Sequence, residues 1–391
     1  MNFENTEEAY RLKSNNELFR AYYLFRLISY PTLVALGSKI TLLALKIKLP
    51  ISNLFKHTVF KQFCAGTQKE DSIKLVQKLS DLKVNSYMHY AAEGLKTEEG
   101  MEISLEKTLE TLSFSKGRPS LPFTVFKSTS LGAFDLFEKK TSGKAFTPQE
   151  GQSWERCLDR IEQCCKKASD LGVRLLIDAE ETWVQGAIDS IAEDFMQRYN
   201  KEDAVVFTTV QMYRKDRLPY LKKLVQKAEE KGFKLGVKLV RGAYIEKEND
   251  RAERLGIPSP ICENKKETDK NFDMALDFLL PKLETCRLFI GSHSELSILK
   301  VTDWMKENGL ANNHPNLWFS QLYGMADHIS FNLAASGYQV VKYVPYGPVR
   351  EVIPYLIRRA EENTSVSGQT PRELQLIEKE IKRRKAKEVE V

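Results

Sequence analysis

Eight short apolar runs, separated by longer stretches with helical periodicity, constrain this chain more than any other feature. The runs are 85–90, 123–126, 173–177, 204–209, 234–240, 287–290, 317–320 and 339–343. Most are followed by a stretch in which apolar residues recur every three or four positions, as in 154–171, 220–231, 268–285, 294–308 and the shorter 327–335. Eight strand–helix units predict a parallel sheet closed into a barrel, where six would have suggested an open sheet. Runs such as Leu175-Leu176-Ile177 are apolar without alternation, as strands covered on both faces are. On pattern alone a doubly wound sheet stays open as the alternative. The expected class is α/β: a (β/α)8 TIM-type barrel with an N-terminal helical segment.

Residues 1–80 read as helices only, with helical apolar spacing in 17–28 and 73–82. The expected organisation is therefore an N-terminal helical segment packed on the barrel (1–80), the barrel itself (81–370) and a charged C-terminal tail (371–391). A length of 391 residues suits one large α/β domain with such appendages.

The net charge is +6, and the tail from Pro371 holds seven Lys or Arg against five Asp or Glu. No basic stripe is interleaved with aromatic residues, so nucleic acid is not an expected partner. The six cysteines form no CxxC pair and no Cys/His cluster with zinc spacing. No metal is expected, and the thiols are expected to be free in a reducing compartment. The N-terminus is polar and acidic, unlike a signal peptide, and Glu4, Glu7 and Glu8 do not suit an organellar presequence. The best candidate for a membrane span is 27–50, but Pro31, Lys39, Lys46 and Lys48 interrupt it. It reads either as a pair of amphipathic helices packed on the body or as a membrane-surface helix.

In a barrel of this kind the chemistry sits at the carboxyl ends of the strands. Here those ends are polar: Lys127-Ser128, Asp178-Ala179-Glu180-Glu181, Gln211-Met212-Tyr213, Arg241-Gly242-Ala243-Tyr244, Gly291-Ser292-His293, Gln321-Leu322-Tyr323-Gly324-Met325 and Lys342-Tyr343. A closed barrel brings them to one mouth. Each taken singly has an ordinary reading as well. Asp178 could cap a helix, His293 could be a satisfied core or loop histidine, and Glu180 and Glu181 suit a helix N-terminus. A helix beginning near Gly347-Pro348 places Tyr355, Arg358, Arg359 and Glu362 on one face and Ile353, Leu356, Ile357 and Ala360 on the other. That arginine face either lies in water or covers the mouth, where two guanidiniums would clamp a carboxylate. Pro354 inside this helix predicts a local kink. No GxGxxG follows a strand and no P-loop is present.

Several of these segments are familiar together. Val237-Lys238-Leu239-Val240-Arg241-Gly242-Ala243-Tyr244 resembles the fifth-strand signature of proline dehydrogenases. Tyr343-Val344-Pro345-Tyr346-Gly347-Pro348, followed by Tyr355-Leu356-Ile357-Arg358-Arg359-Ala360-Glu361-Glu362-Asn363, resembles the family's carboxyl-terminal signature. Ile177-Asp178-Ala179-Glu180 and Tyr323-Gly324-Met325-Ala326-Asp327-His328 match as well, and the resemblance runs from about Lys61 to Asn363.

The resemblance implies a distorted (β/α)8 barrel with FAD at the strand ends. It implies oxidation of L-proline to 1-pyrroline-5-carboxylate by hydride transfer to flavin, the first step of proline catabolism to glutamate. Electrons would pass to a membrane quinone, and a separate 1-pyrroline-5-carboxylate dehydrogenase would be a candidate partner. By position, Asp178, Lys238 and Tyr343 are the catalytic candidates. Lys127, Asp178, Tyr244, Tyr343, Tyr355, Arg358 and Arg359 would bind substrate, the arginines through its carboxylate. Ala179, Gln211, Lys238, Arg241, Gly242, Ala243, Ser292, His293 and Glu362 would hold the cofactor, with Glu362 alternatively orienting the arginine pair. Lys238 stands where relatives often have arginine, which keeps a cation and loses a fork; Ser292 and Ser294 flank the histidine where some relatives differ. The chain ends soon after the arginine helix, so a monofunctional enzyme is expected, cytoplasmic and peripheral on an inner membrane. Two rival readings are a barrel lyase or aldolase using Lys127 or Lys238 as a Schiff-base nucleophile, and a non-enzymatic membrane-surface protein.

Overall fold

The computed structural model describes residues 1–47, 49–91, 97–365 and 369–389, without the side chains of Leu54, 361–365, Gln369 and Val389. Eight strands close into one parallel barrel in chain order: β1 (Val84–Tyr90), β2 (Phe123–Lys127), β3 (Arg174–Asp178), β4 (Val206–Gln211), β5 (Leu235–Val240), β6 (Cys286–Gly291), β7 (Leu317–Leu322) and β8 (Val340–Tyr346). The ring is sealed where β8 pairs with β1, from Val84 opposite Val340 to Tyr90 opposite Tyr346. The open doubly wound alternative is thereby excluded.

Side chains alternate across each strand and so make two apolar layers. Leu175, Ile177, Val237, Leu239, Leu288 and Ile290 pack outward beneath the helices. Leu176, Phe207, Phe289, Trp318 and Val341 fill the interior. Phe123 sits edge-on to three of the inner rings, with centroids 4.9 Å from Phe289, 5.2 Å from Trp318 and 5.8 Å from Phe207. This aromatic plug fills the barrel below the carboxyl ends of the strands and leaves space only above it.

The helices follow their capping signals. Pro148–Leu171 starts at Thr147, whose side chain forms a capping box with Glu150, and stops at Gly172 in the left-handed region (φ 64°). The helical stretch read as 268–285 is shorter: helix Lys265–Leu279 passes into a 3-10 turn, Leu280–Lys282, where Pro281 removes a backbone donor.

The N-terminal helices Asn15–Ile28, Pro31–Lys46 and Lys69–Ser80 pack outside the barrel. The segment read as a charged tail is a helix, Gln369–Val389, with Leu376 and Ile377 buried. It is charged on one face only, and its apolar face lies in the same cluster as Leu18, Ala21 and Phe25 of Asn15–Ile28. Arg384 of this helix donates to the carbonyls of Lys13 (2.7 Å) and Tyr10 (2.9 Å), so the two chain ends are held together. Among the described residues no single helix is long and apolar enough to cross a membrane; Asn15–Ile28 and Pro31–Lys46 form a pair bent by 94°.

Candidate active site at the carboxyl ends of the strands

A cavity of about 410 Å³ opens at the carboxyl ends of the strands. Lys127, Asp178, Ala179, Gln211, Lys238, Arg241, Gly242, Ala243, Tyr244, Ser292, His293, Tyr343, Tyr355, Arg358 and Arg359 all line it. Of the expected site residues only Glu362 is missing, since its side chain lies outside the described residues.

The strand pleat decides which residues face inward. Lys238 of β5 reaches Asp178 of β3, Nζ to Oδ1 at 2.6 Å. Burial works against the Lys238 charge, but the Asp178 carboxylate outweighs it and holds the ammonium above its ordinary pKa. The ammonium also faces the rings of Tyr87 (5.6 Å), Phe289 (5.8 Å) and Tyr343 (6.0 Å). Asp178 is therefore not a helix cap: the following helix, Thr182–Tyr199, has Glu181 at its N-cap. Glu181 pairs with Lys247 at 2.9 Å, while Glu180 accepts from the backbone and hydroxyl of Thr129. Burial pushes the Glu180 carboxyl up to about 7 despite the nearby Lys127 ammonium.

Arg241 is fixed by three bonds, to Asp269 Oδ1 (2.7 Å), Ser292 Oγ (2.7 Å) and Ser297 Oγ (2.9 Å). The next residue, Gly242, has φ 141°, and a Cβ there would lie 2.2 Å from the Tyr213 ring. No other residue type fits that turn. His293 Nε2 accepts from the backbone N–H of Leu322 at 3.1 Å. Burial, reinforced by Lys342 and Arg359, pulls its pKa down to about 3, so the ring is a neutral acceptor. Gln211 donates through Nε2 to the Glu180 carbonyl at 3.1 Å. Its Oε1 is buried and has no hydrogen-bond partner, so an acceptor in the cavity wall stands available.

The helix Val349–Ser365 closes the cavity from above. Pro348 precedes its first turn and Pro354 sits within it. Ile353 and Leu356 are buried on one side, and on the other Tyr355 is 4% and Arg359 7% exposed. The reading with arginines in open water is thereby excluded. Arg359 lies over the Tyr355 ring at 5.2 Å, and Tyr355 faces Tyr343 at a tilt of 31°. The Tyr343 hydroxyl is 2.6 Å from His89 Nδ1.

Lys342 and the Tyr323–Met325 turn are strand-end residues that do not line the cavity. Lys342 faces outward, opposite to Tyr343 as the pleat requires, and bonds Asp327 Oδ1 (2.8 Å) and the Met325 carbonyl (2.6 Å). The Tyr323–His328 turn serves packing: Gly324, at φ 80°, abuts the Gln62 carbonyl, and His328 contacts Glu295 at 3.1 Å. The sequence reading also missed wall residues. Tyr87, facing the same interior as Tyr343, follows from the parity of the first run. Ile261, Cys262 and Asn264 come from a connection with no periodicity, and nothing in the sequence marks them.

A fully closed parallel barrel with arginines roofing a polar-rimmed cavity has the form of a barrel enzyme for a small anionic substrate. The sequence profile described as proline dehydrogenase matches residues 72–372. The chain belongs to the proline dehydrogenase family. It is 31% identical over 97% of its length, and 74% of the relative's, to "Proline dehydrogenase 1, mitochondrial" of Dictyostelium discoideum. It is 30% identical to the "Hydroxyproline dehydrogenase" of Xenopus laevis, covering 96% of this chain and 88% of that one. In fold it matches the proline utilization A structure from Bdellovibrio bacteriovorus with a TM-score of 0.71 at 22% identity, over 90% of this chain; it spans 37% of that longer polypeptide.

Proposed function

We propose that the chain oxidises L-proline to 1-pyrroline-5-carboxylate with FAD as the acceptor, and that a membrane quinone reoxidises the flavin. The reading rests on one observation: Arg358 and Arg359 roof the same cavity that Lys127, Asp178, Lys238 and Tyr343 line from below. We assign the chemistry to the barrel, 81–370, with 1–80 and 371–391 as its appended segments, and place the protein peripherally at a membrane surface. A separate dehydrogenase for the product is the partner this reading implies.

The residues suit a flavin by their donor set. Gln211 Oε1 is an unpartnered acceptor, Arg241 is a rigidly held cation, and Gly242 lets backbone approach where a side chain would collide. Ala179, Ala243, Ser292 and His293 complete that wall. Bound there, the flavin would supply the hydride acceptor.

Arg358 and Arg359, with Lys127, hold the substrate carboxylate by charge-assisted bonds. Tyr343, Tyr355 and Tyr244 wall the ring and exclude water, which is the orientation contribution. Lys238 keeps its proton because Asp178 is beside it, so it stabilises negative charge developing nearby. A lysine so held is a poor Schiff-base nucleophile, which counts against the lyase reading through Lys238.

The absorption spectrum of the purified protein tests this. Non-covalent flavin absorbance should appear, and L-proline should bleach it in the absence of oxygen. Colourless protein that stays inactive after added FAD would sink the reading. Hydroxyproline is the second substrate reading, favoured by the likeness to the Xenopus laevis protein; the faster of the two bleaching rates decides between them.

A further inference from the structure

The helix Pro31–Lys46 carries its apolar residues on the wrong side for a core. Leu33, Leu36, Ile40, Leu43 and Ile47 recur at spacings of three and four, which places them on one face. Each is more than half exposed, 53–59%. Only the narrow opposite side, with Ser38 and Ala44, is buried. Arg350 of the roof helix donates to the Leu45 carbonyl at 2.8 Å and fixes that side down. The preceding helix adds Tyr23 and Leu27 at the same exposure, four residues apart. A contiguous apolar face of this kind marks an interaction surface.

Charge identifies the partner. From Leu18 to Lys69 there is no Asp or Glu, yet eight Lys or Arg. The remaining residues hold 51 of the chain's 59 Lys and Arg against all 53 Asp and Glu. Lys39 and Lys46 fall beside the apolar face on the same helix. Two copies of this surface would bring like charges together with no acid to pair them. At sixteen residues the helix is about 24 Å long, too short to span a bilayer but suited to lie in its surface. We infer that Pro31–Lys46, with the outer face of Asn15–Ile28, docks this protein on an anionic lipid bilayer. The inference names the surface for the peripheral placement proposed above and rests on that placement, whereas bleaching of flavin by proline reads the proposed activity separately.

Flotation of the full chain with vesicles tests it, comparing phosphatidylcholine alone with the same lipid carrying phosphatidylglycerol. The protein should bind the anionic vesicles at least about tenfold more strongly, and high salt should weaken that binding. Leu36→Glu and Ile40→Glu should each lower it about tenfold or more, because a carboxylate replaces an inserted apolar chain. Lys39→Gln combined with Lys46→Gln should lower it several-fold on anionic vesicles only. Melting temperatures should not move, since these side chains touch no core. The proposal is overturned if the parent protein floats with neither vesicle, or if the glutamate variants float as well as the parent. A concentration-dependent dimer that Ile40→Glu abolishes, with no vesicle binding by either protein, would assign the surface to a second copy instead.

Discussion

Lys238 on β5 and Asp178 on β3 meet across the intervening strand β4, with Nζ 2.6 Å from Oδ1. The pair crosses the barrel interior directly above the aromatic plug, and both side chains are largely buried. Each charge has the other as its bonded counter-charge, so each depends on the other.

Removing one partner should therefore cost more than removing both. Lys238→Met should destabilise the protein by about 3–5 kcal/mol, as breaking a buried pair does. Lys238→Met with Asp178→Asn should recover much of that loss. Denaturant melts of the two single variants and the double variant close the cycle. Additive losses would show that the pair is not coupled.

The arginine roof makes a kinetic prediction. Arg358→Met and Arg359→Met, separately, should raise KM for proline by about ten- to a hundredfold, since each charge-assisted bond is worth about 1.5–3 kcal/mol. Flavin content should hold, and lysine at either position should rescue only in part. Normal proline affinity in both methionine variants would remove the substrate from beneath this helix.

Glu180 predicts a stability slope. Its carboxyl titrates near 7 in the fold against 4.5 as a free side chain, because burial penalises its charge. The fold therefore binds the proton more tightly than the unfolded chain does. Its contribution is fully present below pH 4.5 and lost as pH rises through 7, by up to about 3 kcal/mol. Glu180→Gln should flatten that part of the pH–stability curve. Denaturation midpoints at pH 5 and pH 8, with and without the substitution, measure it; equal slopes would contradict the assignment.

Gly242→Ala should cost both stability and flavin. The methyl would overlap the Tyr213 ring, and the backbone angle is one that alanine resists. A loss of at least about 1–3 kcal/mol is expected, with flavin released on gel filtration. Tyr213→Ala in the same chain removes the collision and should restore part of both; no restoration would mean the backbone alone matters.

Much of this was readable from residues because it is periodic. All eight strands lie within a few residues of the apolar runs, and Asp327–Ala335 coincides with its predicted bounds. Fifteen of the sixteen residues expected at the site line one cavity, since closing a barrel brings strand ends together whatever the loops do. What was lost is tertiary. Lys342 and Tyr343 are neighbours in sequence, yet the pleat sends one to the outer helices and the other to the cavity. The C-terminal helix looked like a tail because its few apolar residues, Leu376 and Ile377, gain meaning only against Phe25 and Leu18. The wall from Ile261 to Asn264 has no pattern to read.

Lys342 also ties the chain's two ends to the sheet. It grips Asp327, whose second oxygen takes Lys13 from the N-terminal segment at 3.2 Å. Glu373 of the last helix accepts from the Ala326 N–H in the same turn at 3.1 Å. Residues more than three hundred positions apart thus share one buried knot, one residue from a side chain that walls the cavity. Neither terminus can peel away without stranding a charge beneath the surface. Heat should then melt ends and barrel in a single transition, and a protease that nicks either end should release no intact core.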